Sequence, residues 1–245
     1  MRPARWGRLT RLARPEQDAG PGSRPVPSWA VLSSVAAPVL LIGGWTLAAG
    51  RQPSGFNPVT DTISALAARD AADRWLMTWA LAGVGCCHVV TALGLRPAGR
   101  PGRVVLAGGG LATVLVAAGP LPGNGGTSAG HTTAASLSFG ALAAWPALAA
   151  RRDPQAPDAL RPTACAVATA TLLALVGWFL VELPGGTRVG LAERAAAGAQ
   201  ALWPLAVVAA SRRRPASRLT WAGRRAPQRR DVSTQSEHRP PPGTR

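Results

Sequence analysis

The chain has 245 residues and a formal charge of +16, and all 27 of its basic residues are arginine. Its apolar residues are gathered into blocks rather than amphipathic stripes, which argues against an ordinary soluble domain; the mean hydropathy of +0.11 averages those blocks with two polar, basic tails. Most of the arginine lies in the tails and in loops beside apolar blocks, which argues against nucleic acid as a partner and for anionic lipid.

Residues 1–27 read as a disordered basic tail. A first apolar block follows at 29–49. About 20 apolar residues are needed to cross the hydrocarbon of a bilayer as a helix, and this block is long enough to be a retained span rather than a cleaved signal. Next comes the longest polar connection, 51–74. Within it Asn57 and Pro58 read as a helix start. Val59, Ile63, Leu66 and Ala67 then share one face, and Asp61 with Ser64 another, so a short amphipathic helix is expected at the membrane interface.

The second block, 75–95, carries His88 on a face of small residues with Gly85 and Ala92. A hydrogen bond from His88 to a neighbouring helix is the expected role, with a proton relay or ligand contact as the alternative. The third block, 104–120, contains Gly108, Gly109 and Gly110 and is the least regular of the six. His131 stands at the entrance of the fourth block, 132–150. Glu182 ends the fifth, 163–183. Glu193 and Arg194 open the sixth, 195–210, which also carries Gln200. A basic tail, 212–245, is expected to be disordered.

The reading is therefore an all-α, polytopic membrane protein: a six-transmembrane-helix bundle over 28–211. Segments on one side (1–27, 96–103, 151–162 and from 211 on) hold 22 arginines, and those on the other hold 5. The arginine-rich side should be cytoplasmic, with both termini there, in a multi-pass protein of the cell membrane. Close helix packing is expected at Gly43, Gly44, Gly83, Gly85, the Gly108 run, Ser136 and Gly140. Pro146 and Pro204 should bend their helices. Cys86, Cys87 and Cys165 fall inside apolar blocks and read as small core residues.

With that topology Asp61, Ser64, His131, Glu182, Glu193 and Arg194 share one outer face. A carboxylate near a helix start is favoured by the helix dipole, which accounts for Glu193. Arg194 meets the wrong pole, so an ion pair with Glu182 or Asp61 would account for it. Catalytic zinc usually takes three protein ligands, commonly two or more of them histidine, and only His131 faces outward, so no metal is expected. No nucleotide-binding loop, dinucleotide fingerprint, haem-attachment or zincin motif is present, and no cofactor is expected.

The pattern Asp61-Thr-Ile-Ser64-Ala-Leu66, with Asp73-Arg74-Trp75, His131 and Gly190-Leu-Ala-Glu193-Arg194, resembles the bacterial membrane family catalogued as domain of unknown function 998. The resemblance covers about residues 28 to 212. It implies a six-helix integral membrane protein and brings no activity, substrate or cofactor. The expected function is a non-catalytic protein binding a membrane lipid or a membrane protein partner. One alternative is a membrane-embedded hydrolase or transferase acting on a lipid-like substrate at the outer leaflet, with His131 as base for Ser64 and Arg194 holding an anionic headgroup. The other is a small transporter.

Overall fold

The computed structural model describes residues 25–213; the expected disordered tails lie outside the described residues, apart from 25–27 and 212–213. Six α-helices account for the apolar blocks: α1 (Ser28–Ala49), α2 (Trp75–Gly94), α3 (Arg100–Ala118), α4 (Ala129–Ala149), α5 (Pro162–Glu182) and α6 (Val189–Arg212). No strand occurs among the described residues. The glycine run does not interrupt α3, which is one continuous helix of 19 residues. Four of the helices, α1, α2, α3 and α5, are long and apolar enough to cross a membrane, which suggests a membrane protein. Of the other two, α4 carries Thr132 and Ser138, and α6 carries Glu193, Arg194 and Gln200.

The helices form a closed sequential ring. Each packs on the next in the chain, α6 returns to α1, and α6 also touches α2 and α4 across the ring. The connections sort to two ends. At one end residues 50–74 meet both the α3–α4 connection, through Arg69 N–H to Leu121 O (3.1 Å), and the start of α6, through Leu191 N–H to Val59 O (3.0 Å). At the other, Val26, Leu95, Ala98, Ala149 and Leu160 share one buried cluster. Arg103 there donates to the carbonyls of Ala92 and Leu93, both at 2.7 Å, placing a cation at the C-terminal pole of α2, where it is favoured.

Backbone proximity rather than bulky side chains sets several of the crossings. A Cβ on Gly85 would lie 2.5 Å from Gly110 O, and one on Gly110 would lie 2.6 Å from Gly85 O, so α2 and α3 cross glycine on glycine. Gly44 packs likewise against Ala80, and Gly102 against Ala149. Small residues permit such approach and the dispersion contacts it brings. Gly43, Gly108 and Gly140 do not take part, for nothing lies within 4 Å of the space a Cβ would fill. Ser136 is exposed too, and the buried hydroxyl of α4 is Ser138, two residues along. Hydroxyl pairs then tie neighbouring helices: Ser33 with Thr91 (2.8 Å) and Thr113 with Ser138 (2.8 Å). Pro146 and Pro204 both lie buried within their helices.

Cysteine is less buried than its place in the apolar blocks implies. All three thiols are free; Cys165 is buried, Cys87 half-buried and Cys86 exposed on the outside of the ring. Large apolar side chains share that outer surface, among them Leu32, Val39, Trp79, Val104, Val167 and Val181.

Candidate functional site

The amphipathic helix expected after Asn57 does not form; only a short 3-10 turn, Ser64–Ala67, is present. Helix α6 explains why. In an α-helix Val59 O would accept from Ile63 N–H. Here Val59 O accepts from Leu191 N–H instead, and Ile63 N–H donates to Glu193 Oε2 in a short hydrogen bond. The carbonyls of Pro58 and Asp61 are likewise taken by Arg194 Nη1, at 2.8 and 2.7 Å. Local bonds complete the turn: Asn57 Oδ1 accepts from Val59 N–H (2.9 Å), and Asp61 Oδ2 accepts from Asn57 N–H (2.7 Å). Ala65 N–H turns to Thr62 Oγ1 (3.1 Å).

Two short sequence motifs, far apart in the chain, therefore bind each other. Residues 190–194 act as a template on which the backbone of 58–64 is laid. Gly190 is needed for this, because a Cβ there would sit 2.7 Å from Pro58 O and closer still to Asp61 O. Glu193 accepts a second bond from Ser64 Oγ–H at 3.2 Å. The loop so held is not a surface excursion: Ile63, Leu66 and Ala67 are buried with Leu41, Met77 and Leu81 in the core. Irregular backbone at such depth is viable only where protein satisfies its polar groups, and α6 does so.

Beneath this loop lies a chamber of about 60 Å³. Ile63, Ser64 and Glu193 form its upper wall; His88, Thr113, Ser138, Phe139 and Gln200 line the rest, with leucine and valine between them. Helix α5 contributes nothing to it. Glu193 is 4% exposed, Gln200 2% and His88 1%. Gln200 Nε2 donates to Phe139 O across to α4 (2.9 Å). His88 has no such link: its Nδ1 is buried without a hydrogen-bond partner, in place of the expected bond to a neighbouring helix. Thr113 donates to Gly109 O (2.9 Å), which leaves Ser138 to donate in the Thr113–Ser138 pair.

The outer-face candidates thus separate. Ser64 and Glu193 touch, and they join the two intramembrane residues, His88 and Gln200, around one space. Asp61 and Arg194 meet through the Asp61 carbonyl, not its carboxylate, and Arg194 forms no ion pair among the described residues. Its guanidinium also binds Gly190 O (3.0 Å) and stands 5.9 Å from the Phe56 ring centre. Helix α6 begins at Val189, so Glu193 is not in its first turn. The Ile63 and Ser64 bonds, rather than the helix dipole, account for Glu193. His131 is buried at the start of α4, its Nδ1 2.8 Å from Gly119 O and its N–H capped by Ser128 Oγ (3.4 Å). It does not line the chamber. Glu182 closes the α5–α6 turn, accepting from Trp178 Nε1–H (3.2 Å) and Arg188 N–H (2.9 Å). Among the described residues no three His, Cys, Asp or Glu side chains group as metal ligands would.

Thr113 and Ser138 are the site residues that the sequence reading passed over; a hydroxyl inside an otherwise apolar block was the available signal. No curated protein and no solved structure matches the chain. The family described as "Protein of unknown function (DUF998)" matches residues 34–210, the region that holds both interlocking motifs and the chamber beneath them, and the chain belongs to that family.

Proposed function

We propose that this is an integral membrane protein with six spans and cytoplasmic termini that binds its ligand and does not transform it. Four helices qualify as spans by themselves. Ring closure and the sorting of the connections to two ends support adding α4 and α6. The exposed apolar residues around the ring support a lipid setting, since soluble proteins rarely leave so large an apolar surface uncovered. The arginine bias supports placing the 50–74 end outside.

The observation that carries the binding reading is the use made of the polar residues. Arg194 commits Nη1 to the Pro58 and Asp61 carbonyls, and neither it nor His131 lines the chamber that Ser64 borders. What remains is a lidded, mostly apolar chamber with a few polar groups, the usual make-up of a small-ligand site. The partner is a membrane lipid or a molecule carried with the membrane. Purification in mild detergent followed by mass spectrometry of co-purifying lipids and small molecules tests this. A bound molecule recovered unchanged after incubation supports binding; accumulation of a product overturns it.

One contact favours a second reading, a hydrolase or transferase with Ser64 as nucleophile: its Oγ lies 3.2 Å from the Glu193 carboxylate. Nucleophile and base within hydrogen-bond reach is the usual signature of such a pair. Substituting Ser64→Ala separates the readings, since it would stop product formation in the second and at most weaken ligand recovery in the first.

A further inference from the structure

The chamber has a chemical sign. Its hydroxyl donors are spent within the fold: Ser64 on Glu193, Thr113 on Gly109 O and Ser138 on Thr113. Gln200 commits one of its two Nε2 hydrogens to Phe139 O, and the His88 ring keeps one unpartnered N–H. Acceptors outnumber these donors: the remaining lone pairs of the Glu193 carboxylate, Gln200 Oε1, Ser138 Oγ and the unprotonated ring nitrogen of His88. No arginine lines the space, and Glu193 forms no ion pair among the described residues. A carboxylate so deeply buried is costly, and the field of Arg194 offsets only part of that cost.

We propose that the chamber binds a primary ammonium group. Such a group presents three donors and no acceptor, which complements Glu193, Gln200 and Ser138. Its positive charge is also favoured beside the face of an aromatic ring such as Phe139. A bare metal cation suits the space less well, since a hard cation takes about six oxygen ligands and most of this lining is hydrocarbon. The first carbon of an amine, by contrast, suits the walls made by Leu81, Val84 and Val116. Size favours a small group: about 60 Å³ has room for a few water-sized groups, each needing roughly 10–15 Å³. The ammonium belongs either to a free small amine or to the tip of an aminophospholipid headgroup. This inference rests on the binding reading above.

The test uses the full chain purified in detergent free of aminophospholipid, titrated with methylammonium chloride while Tm is followed. Sodium chloride and tetramethylammonium chloride at equal ionic strength serve as controls. A saturable rise in Tm is expected with methylammonium alone. Glu193→Gln should weaken the apparent affinity by about tenfold or more, the scale of a lost charge-assisted hydrogen bond. Because Glu193 also holds the loop, Ala197→Leu provides a second variant: it fills the chamber while keeping every residue that bonds 58–64, and it should abolish the response in protein that still elutes as a single folded species.

An equal response to tetramethylammonium or sodium, no response in the wild type, or a response retained in both variants would each overturn the proposal. If the wild type ignores methylammonium while a co-purifying molecule without an amine is recovered intact, the ammonium assignment fails and the binding reading stands. Nanodiscs made with and without phosphatidylethanolamine separate the sources. Competition by that lipid assigns the headgroup, and its absence assigns a free amine.

Discussion

Replacing Gly190 by alanine sets two opposed effects against each other, and their magnitudes decide the sign. Alanine is the better helix former by about 1 kcal/mol, so propensity alone says that the variant is more stable. The added Cβ, however, would lie 2.7 Å from Pro58 O and nearer to Asp61 O. Restoring ordinary contact requires the loop to withdraw by about 1 Å. That withdrawal stretches the two Arg194 bonds, now 2.8 and 2.7 Å, and the Leu191–Val59 bond, now 3.0 Å, beyond useful length. Two hydrogen bonds to a charged group and one neutral one are together worth roughly 3.5–7.5 kcal/mol. If water at the rim recovers about half of this, the net loss after the helix gain is about 1–3 kcal/mol. Gly43→Ala is the matched control, because it is also helical and open space surrounds its Cβ position. It should be neutral or stabilising by up to about 1 kcal/mol. Unfolding of both variants in mixed detergent micelles, followed by tryptophan fluorescence, gives the comparison. A Gly190→Ala protein as stable as Gly43→Ala would refute the reasoning that the loop is bound to α6 by close backbone approach.

Other outcomes follow from the same contacts. In a double-mutant cycle, Thr113→Val and Ser138→Ala should couple by about 0.6 kcal/mol, the usual worth of an interhelical hydrogen bond in a bilayer, measured by the same unfolding assay; strict additivity would show that the pair is not formed. Gly85→Ala should cost about 1–3 kcal/mol, because the crossing partner is the Gly110 carbonyl and not a side chain that can turn aside; an unchanged unfolding midpoint would contradict that crossing. Removing the guanidinium with Arg194→Leu should lower the yield of folded protein by fluorescence-detected gel filtration, since the Pro58 and Asp61 carbonyls lose their donor at about 1–3 kcal/mol each; normal yield would show that water serves them equally well. Reporter fusions at Asn124 and Gln155 should report opposite sides of the membrane, and a shared side would remove the six-span topology.

The helices were legible because apolar blocks of about 20 residues permit little else; most ends needed only small adjustment, but α3 begins at Arg100 and α6 at Val189, well before their apolar blocks. Residues 57–67 were misread for a definite reason. Their pattern fits a helix, but the donors and acceptors that would have closed it are claimed by residues more than a hundred positions away, which no local pattern encodes. The same distance hid the partner of Arg194: a charge suggests an opposite charge, whereas this arginine collects carbonyl oxygens. Glu193 and His88 were each singled out from the sequence. That they border one space was not legible, because the azimuth of each helix depends on crossings such as Gly85 on Gly110. A two-residue error in assigning the inward face of α4 was enough to choose Ser136 over Ser138.

The pairing of residues 58–64 with 190–194 also has a consequence for biosynthesis. Four peptide groups between the first and second helices, Pro58 O, Val59 O, Asp61 O and Ile63 N–H, find partners on the last helix, so they stay unmatched while the four helices between are made. Completion of the final helix is then the event that seats the first connection. A nascent chain halted before residue 189 should expose that connection to protease, and one released after residue 212 should protect it.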